Sequence, residues 1–178
     1  MEWGYTLKKA VLIFIALLMA TALYAQTGTA MGFHNFPYGT SMETFRARMG
    51  NPVHSDEVNG LQSLVYDNVQ FQGYSVFMIA FFSGNGLEGG TYYFYTRNLE
   101  DMTACYTALQ REMIRLYGPT LVYEPETSGK VVMREARIYE STWSLPAGYI
   151  YLKANRRSDE PISLWFSSPS LTRRLNGN

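Results

Sequence analysis

The spacing of apolar residues predicts a long helix in the middle of the chain. Apolar side chains recur there at alternating intervals of three and four residues, which places them along one helical face. Asn98 precedes the segment as an N-cap, and Gly118-Pro119 ends it. The apolar stripe consists of Leu99, Met102, Tyr106, Leu109, Met113 and Leu116.

A shorter helix is predicted at residues 41–49. Thr40-Ser41-Met42-Glu43 fits a capping box, in which a hydroxyl and a carboxylate satisfy early backbone N–H groups. Gly50 supplies a left-handed exit, and Pro52 prevents continuation. Both helices therefore end in a Gly/Pro stop.

Alternation of apolar and polar residues predicts strands after each helix. Turns rich in glycine, asparagine and proline separate these strands, as in antiparallel meanders. The predicted strands span residues 61–67, 73–83, 91–96, 120–123, 136–145, 149–154 and 162–167.

This order of elements predicts an α+β fold, with helices packed on one face of an antiparallel sheet. It also predicts two tandem helix-plus-meander repeats, at residues 36–97 and 98–168. Residues 26–35 are assigned to a flexible N-terminal segment and residues 169–178 to a C-terminal tail. The alternative is that a helix followed by glycine and proline is common punctuation, so that the two copies carry no meaning.

The N-terminus has the layout of a signal peptide. Lys8 and Lys9 precede an uncharged apolar run at residues 10–23, which stops at small residues. The expected cut follows Ala25, with a cut after Ala30 as the alternative. An uncleaved anchor is the rival interpretation, but the run is shorter than the roughly 20 residues that a spanning helix needs. We expect residues 1–25 to be removed and the mature chain to be exported, to the periplasm or the medium.

Composition narrows the functional classes. The formal net charge is +0, which disfavours a nucleic-acid binder because affinity for phosphates requires a concentrated basic surface. The only cysteine, Cys105, cannot form an internal disulfide. The fold must therefore be held by packing, for which 14 Tyr, 10 Phe and 3 Trp supply ample area.

Strand alternation predicts that the face of the sheet opposite the helices is aromatic and available for binding. The aliphatic positions of the last two strands suit the helix-facing core, which turns tyrosine and tryptophan outward. In the first half both faces are aromatic, so the inner one cannot be assigned. Aromatic residues with a polar tip are common at the energetic centre of interfaces. The predicted partner-binding residues are Tyr93, Tyr95, Tyr149, Tyr151 and Trp165. Aromatic packing that only stabilises the sheet, or a homodimer seam, is the alternative.

No catalytic, cofactor or metal motif is present in the sequence. His54-Ser55-Asp56-Glu57 brings an imidazole near carboxylates, but in a polar loop without a further histidine. His34 has no companion, and Cys105 is interpreted as a small buried side chain. These observations favour a non-catalytic protein, although an active site without a linear motif stays open.

A resemblance adds to this interpretation. The segment F-P-Y-G-T-S-M-E-T-F-R-A-R-M-G-N-P at residues 36–52, a strand with Leu64 and Tyr66, and an apolar strand ending Ala80-Phe81-Phe82 resemble the SmpA/OmlA outer-membrane-assembly lipoproteins. In that family a Gly-Thr/Ser helix start and a Gly-x-Pro stop precede an aromatic strand. This chain lacks the lipid-anchoring cysteine, and Tyr66 stands where tryptophan is more typical.

The doubled arrangement is similar to beta-lactamase inhibitory protein, which repeats such a unit and offers an aromatic sheet face to a protein partner. The resemblance implies a binding role. We therefore expect a protein-binding or envelope-associated module with a protein partner of the cell envelope. The alternative is a carrier of a lipid or apolar small molecule held between helices and sheet, with membrane contact only through a partner or an uncleaved leader.

Overall fold

An antiparallel sheet with helices forms the body of the protein. The structure, a computed structural model, describes residues 31–58, 60–120, 138–155 and 162–177. The strands are β1 Gly32–Phe33, β2 Phe36–Pro37, β3 His54–Val58, β4 Leu61–Phe71, β5 Tyr74–Ser83, β6 Gly86–Phe94, β7 Ile138–Leu145, β8 Gly148–Asn155 and β9 Ile162–Ser167. The helices are α1 Met42–Met49, α2 Leu99–Tyr117 and α3 Pro169–Leu175. The predicted α+β class is confirmed.

The two meanders form one continuous sheet. Its strand order is β3-β4-β5-β6-β9-β8-β7, and every neighbouring pair is antiparallel. The junction is the pair β6–β9, so the last strand of each half lies at the centre. A separate two-stranded hairpin, β1–β2, precedes α1.

The helix starts follow from local hydrogen bonds. Asn98 caps α2 as predicted, because its side chain accepts the Asp101 N–H at 2.9 Å. In α1 the N-cap is Ser41, which accepts the Thr44 N–H at 3.2 Å. The capping box predicted from Thr40 is therefore wrong, since the Thr40 hydroxyl donates to the Pro37 carbonyl instead.

The two helix stops share one geometry. Gly50 and Gly118 each have φ +84°, a conformation that strains other residues. Tyr66 donates its hydroxyl to the Gly50 carbonyl at 3.3 Å, and Trp143 donates its indole N–H to the Gly118 carbonyl at 3.1 Å. Each half thus ties its helix end to a strand through an aromatic donor.

The β1–β2 hairpin plugs the inner face of the sheet. Its turn residues His34 and Asn35 have φ of 52° and 64°, as a tight hairpin requires. Phe33 is 1% exposed and lies over Gly90, where any Cβ would overlap its ring. The hairpin includes residues 32–35 of the segment predicted to be flexible, and burial of the Phe33 ring explains the difference.

Helix α2 packs on the same face as the hairpin. Its Tyr106 hydroxyl lies 2.7 Å from that of Ser141 on β7, and both residues are buried. Cys105 is buried beside Tyr106, as predicted. Leu99 and Leu116, the ends of the predicted stripe, are 41% and 47% exposed because they lie beyond the edges of the core.

Other segments differ from the predictions. β3, which carries the polar sequence of the predicted His54 loop, pairs with β4 as an exposed edge. α3 occupies most of the predicted tail and is capped by Ser168. The predicted leader, residues 26–30 of the predicted flexible segment, and residues 121–123 and 136–137 of two predicted strands lie outside the described residues. No helix in the described part of the chain is long and apolar enough to cross a membrane.

Candidate binding face

Strand register separates the residues of the large sheet into two faces. The inner face meets α1, α2 and the hairpin; for example, Phe45 of α1 lies 5.3 Å from Phe82 between ring centroids. The outer face carries a group that we call the aromatic face: Phe77 and Phe81 on β5, Tyr93 on β6, Trp165 on β9, and Tyr149 and Tyr151 on β8. Each of these side chains is half-buried.

The register resolves the ambiguity in the first half. Tyr92 and Phe94 point inward, where both are buried, and Tyr92 stacks on Phe71 at 4.1 Å. Tyr93 points outward, because it pairs with Phe77 and Ser163. The predicted split of β8 and β9 into inner aliphatic and outer aromatic positions is confirmed by the same register and burial.

The predicted binding residues come together with one partial exception. Tyr93, Tyr149, Tyr151 and Trp165 all lie on the aromatic face. Tyr95 lies past the end of β6 and is 69% exposed. Burial raises the pKa of Tyr93, and the charge of the nearby Tyr95 adds to that shift. Tyr95 therefore borders the face.

A stacked ring pair occupies the centre of the face. Phe81 and Trp165 lie 5.7 Å apart between ring centroids with planes 9° apart, although β6 separates their strands. The β6 residues between them are small, Gly89 and Thr91, so the rings lean over that strand. Thr91 is consequently 0% exposed. Alternation does not predict the outward position of Phe77 and Phe81, because β5 is apolar on both faces.

Polar groups line the β7–β8 end of the face. The Tyr151 hydroxyl donates to a Glu140 carboxylate oxygen at 2.5 Å. Burial and this carboxylate raise the pKa of Tyr151, so its hydroxyl stays a donor at neutral pH. Lys153 lies beside Tyr151 on the outer side and pairs in register with Glu140. Hydroxyls, an amine and a carboxylate therefore flank the rings.

The residues considered for catalysis are dispersed. Burial raises the pKa of the Cys105 thiol to about 11, which keeps the reactive thiolate scarce. His34 lies with its Nδ1 3.0 Å from the Tyr92 hydroxyl, and burial lowers its pKa. His54 is exposed on β3. In the ranges that the structure describes, no three His, Cys, Asp or Glu residues are grouped to hold a metal ion.

One buried carboxylate was not predicted. Glu88 is 3% exposed at a bulge in β6 and accepts hydroxyl hydrogen bonds from Ser83, Ser168 and Ser170. Burial acts to raise the pKa of Glu88, but these hydrogen bonds outweigh it and the pKa lies below its usual value. The cluster fastens the start of α3 to β6. No short sequence motif predicts this cluster, because Ser168 and Ser170 are far from Glu88 in the sequence.

No family model, curated protein or solved structure matches this chain.

Proposed function

We propose that this chain is an exported, non-catalytic module that binds a protein partner of the cell envelope through its aromatic face. The observation that carries the proposal is the alignment of Tyr93, Tyr149, Tyr151 and Trp165 on a sheet face opposite α1 and α2. Half-buried rings with polar tips are the residues that most often dominate the energetics of protein interfaces.

Packing on the inner side favours this proposal over a carrier of lipid. Aromatic side chains pack between α1, the hairpin and the sheet, with Phe36 and Phe45 4.4 Å apart and Phe33 and Tyr92 4.7 Å apart between ring centroids. The aromatic face, by contrast, carries half-buried rings on the outer side of the sheet. A partner that uses them does not need to open the core.

The test is capture of envelope proteins on the immobilised mature chain. A variant carrying Tyr149→Ala, Tyr151→Ala and Trp165→Ala removes the outer rings of β8 and β9. The matched control changes Leu99, Ile114 and Leu116 on α2 to Ala, which removes exposed apolar side chains elsewhere. Thermal unfolding of both variants establishes that each is folded.

The expected result is a stoichiometric crosslinked partner that the control variant retains and the face variant loses. Each hot-spot ring removed costs about 2 kcal/mol or more of binding free energy. If the folded face variant kept every captured protein, the assignment of the site would be wrong. Lipid extracted with the purified chain, without a protein partner, would favour the carrier.

A further inference from the structure

The aromatic face has a charge pattern typical of an interface with a folded protein. Between β5 and β9 no acidic or basic side chain occupies an outward register position. Charged or titratable residues stand at both flanks, His54 and Asp56 on β3 and Glu140 and Lys153 at the β7–β8 end. An uncharged aromatic centre inside a polar rim is the anatomy of protein–protein interfaces.

The size of the face fits a weak, specific complex. Five strands from β4 to β8 in the spatial order, about 4.8 Å apart, give a width of about 24 Å, and six residues along a strand give about 20 Å. The projected area is at most about 480 Å², because α3 reaches this side of the sheet where Leu171 lies against Gly89 and Thr172 bonds Ser167. It falls below the roughly 600 Å² per partner that separates standard interfaces from weak, transient ones. A partner that covered only β8 and β9 would bury far less.

The residues on β5 are equal members of this surface. Phe77, Ile79 and Phe81 point outward in register with Tyr93, Thr91 and Gly89, and all three are half-buried. Phe81 also stacks on Trp165, so the first half of the chain supplies part of the central ring pair. An occupant seated on Trp165 must therefore contact β5 as well.

From this pattern we infer that the occupant is a folded protein with a flat, uncharged apolar patch, which lies across both halves and contacts Phe77, Ile79 and Phe81 on β5 as well as Trp165 on β9. The inference rests on the proposed function and names its partner class. An extended peptide strand would pair its backbone at a sheet edge. Here the rings lie on strands in the interior of the sheet, whose backbone groups are already paired, so a partner can contact only their side chains.

Photo-crosslinking in the producing cells tests the inference with the full chain. The photoreactive residue p-benzoyl-phenylalanine replaces Phe77 or Phe81 in the first half, or Tyr149 in the second half. Ile114 on α2 serves as the control position, because it is exposed and lies off the aromatic face. Adducts are identified by mass spectrometry after illumination.

We expect the positions in both halves to yield the same protein adduct and the control position to yield none. An adduct from Tyr149 alone would overturn the inference while leaving the proposed function intact. Adducts of the chain with itself would identify a second copy as the occupant and also overturn it. The absence of protein adducts at all positions would instead contradict the proposed function.

Substitution gives a second readout on the identified partner. Phe77→Ser and Phe81→Ser together are expected to weaken its binding about tenfold or more, as loss of a hot spot does. Ile114→Ser is the control, with unchanged affinity. Added salt should change the affinity little, because the contact centre is uncharged. Undiminished affinity in the folded double variant would refute the role of β5.

Discussion

Replacing Phe33 by alanine removes the ring that plugs the inner face of the sheet. The ring is 1% exposed and lies 4.7 Å from Tyr92 and 6.0 Å from Phe166 between ring centroids. Truncation of a buried phenylalanine costs about 3–5 kcal/mol of unfolding free energy. Since a domain of this kind has about 5–15 kcal/mol in total, Phe33→Ala should remove a large fraction of its stability.

A second substitution separates the plug from a general loss of packing. Gly90→Ala places a methyl group inside the space that the Phe33 ring occupies. In the natural background this overpacking should cost about 1–3 kcal/mol. In the Phe33→Ala background the same methyl enters the new cavity, so we expect the penalty to vanish or reverse.

Urea titration of a chain of residues 26–178, followed by tryptophan fluorescence, measures both effects. With a slope of about 2 kcal/mol per molar urea, Phe33→Ala should lower the midpoint by about 1.5–2.5 M. Gly90→Ala measured with and without Phe33 completes a double-mutant cycle. Equal penalties for Gly90→Ala in both backgrounds, or a cost of Phe33→Ala below about 1 kcal/mol, would refute the plug.

Two further predictions concern hydrogen bonds that tie distant segments together. Because the pKa of Glu88 is lowered in the folded state, its stabilising contribution should be complete above the usual value of 4.5 and be lost as pH falls through the lower folded value. Glu88→Gln should remove that pH dependence from urea midpoints measured between pH 7 and pH 3, and an unchanged slope would contradict it. Tyr66→Phe should cost about 0.5–1.5 kcal/mol by freeing a helix-end carbonyl, and Trp143→Phe more because it also loses buried volume. Tyr95→Phe, at an exposed position, is the control. Equal urea midpoints for Tyr66→Phe and Tyr95→Phe would show that the hydrogen bond from Tyr66 to the Gly50 carbonyl does not stabilise the fold.

The sequence predicts elements well where local chemistry decides them. The N-cap Asn98 and the stop at Gly118 follow from side-chain acceptors and a left-handed glycine, so the bounds of α2 agree with the structure. The faces of β8 are equally clear, because Ile150 and Leu152 alternate with tyrosines. Where one face of a strand is aliphatic and the other amphipathic, alternation alone predicts which side chains face the core.

Features that depend on distant partners could not be predicted. β6 carries rings on both faces, and only its pairing with β5 and β9 shows that Tyr92 faces the core. Phe33 packs over Gly90, far along the chain, so the local sequence of its hairpin predicts only a flexible segment. Hydroxyls from Ser168 and Ser170 reach Glu88 only after the chain has folded. In each case tertiary contact overrides a weak local signal.

The β6–β9 junction has a consequence for biosynthesis. β9 follows β7 and β8 along the chain but stands between β6 and β8. A nascent chain that lacks β9 has a sheet interrupted in its interior, with the edges of β6 and β8 unpaired. Such long-range closure is slow and leaves those edges open to other chains until β9 has been synthesised. Truncation before Ile162 should therefore produce aggregates, whereas trimming beyond α3 should be tolerated.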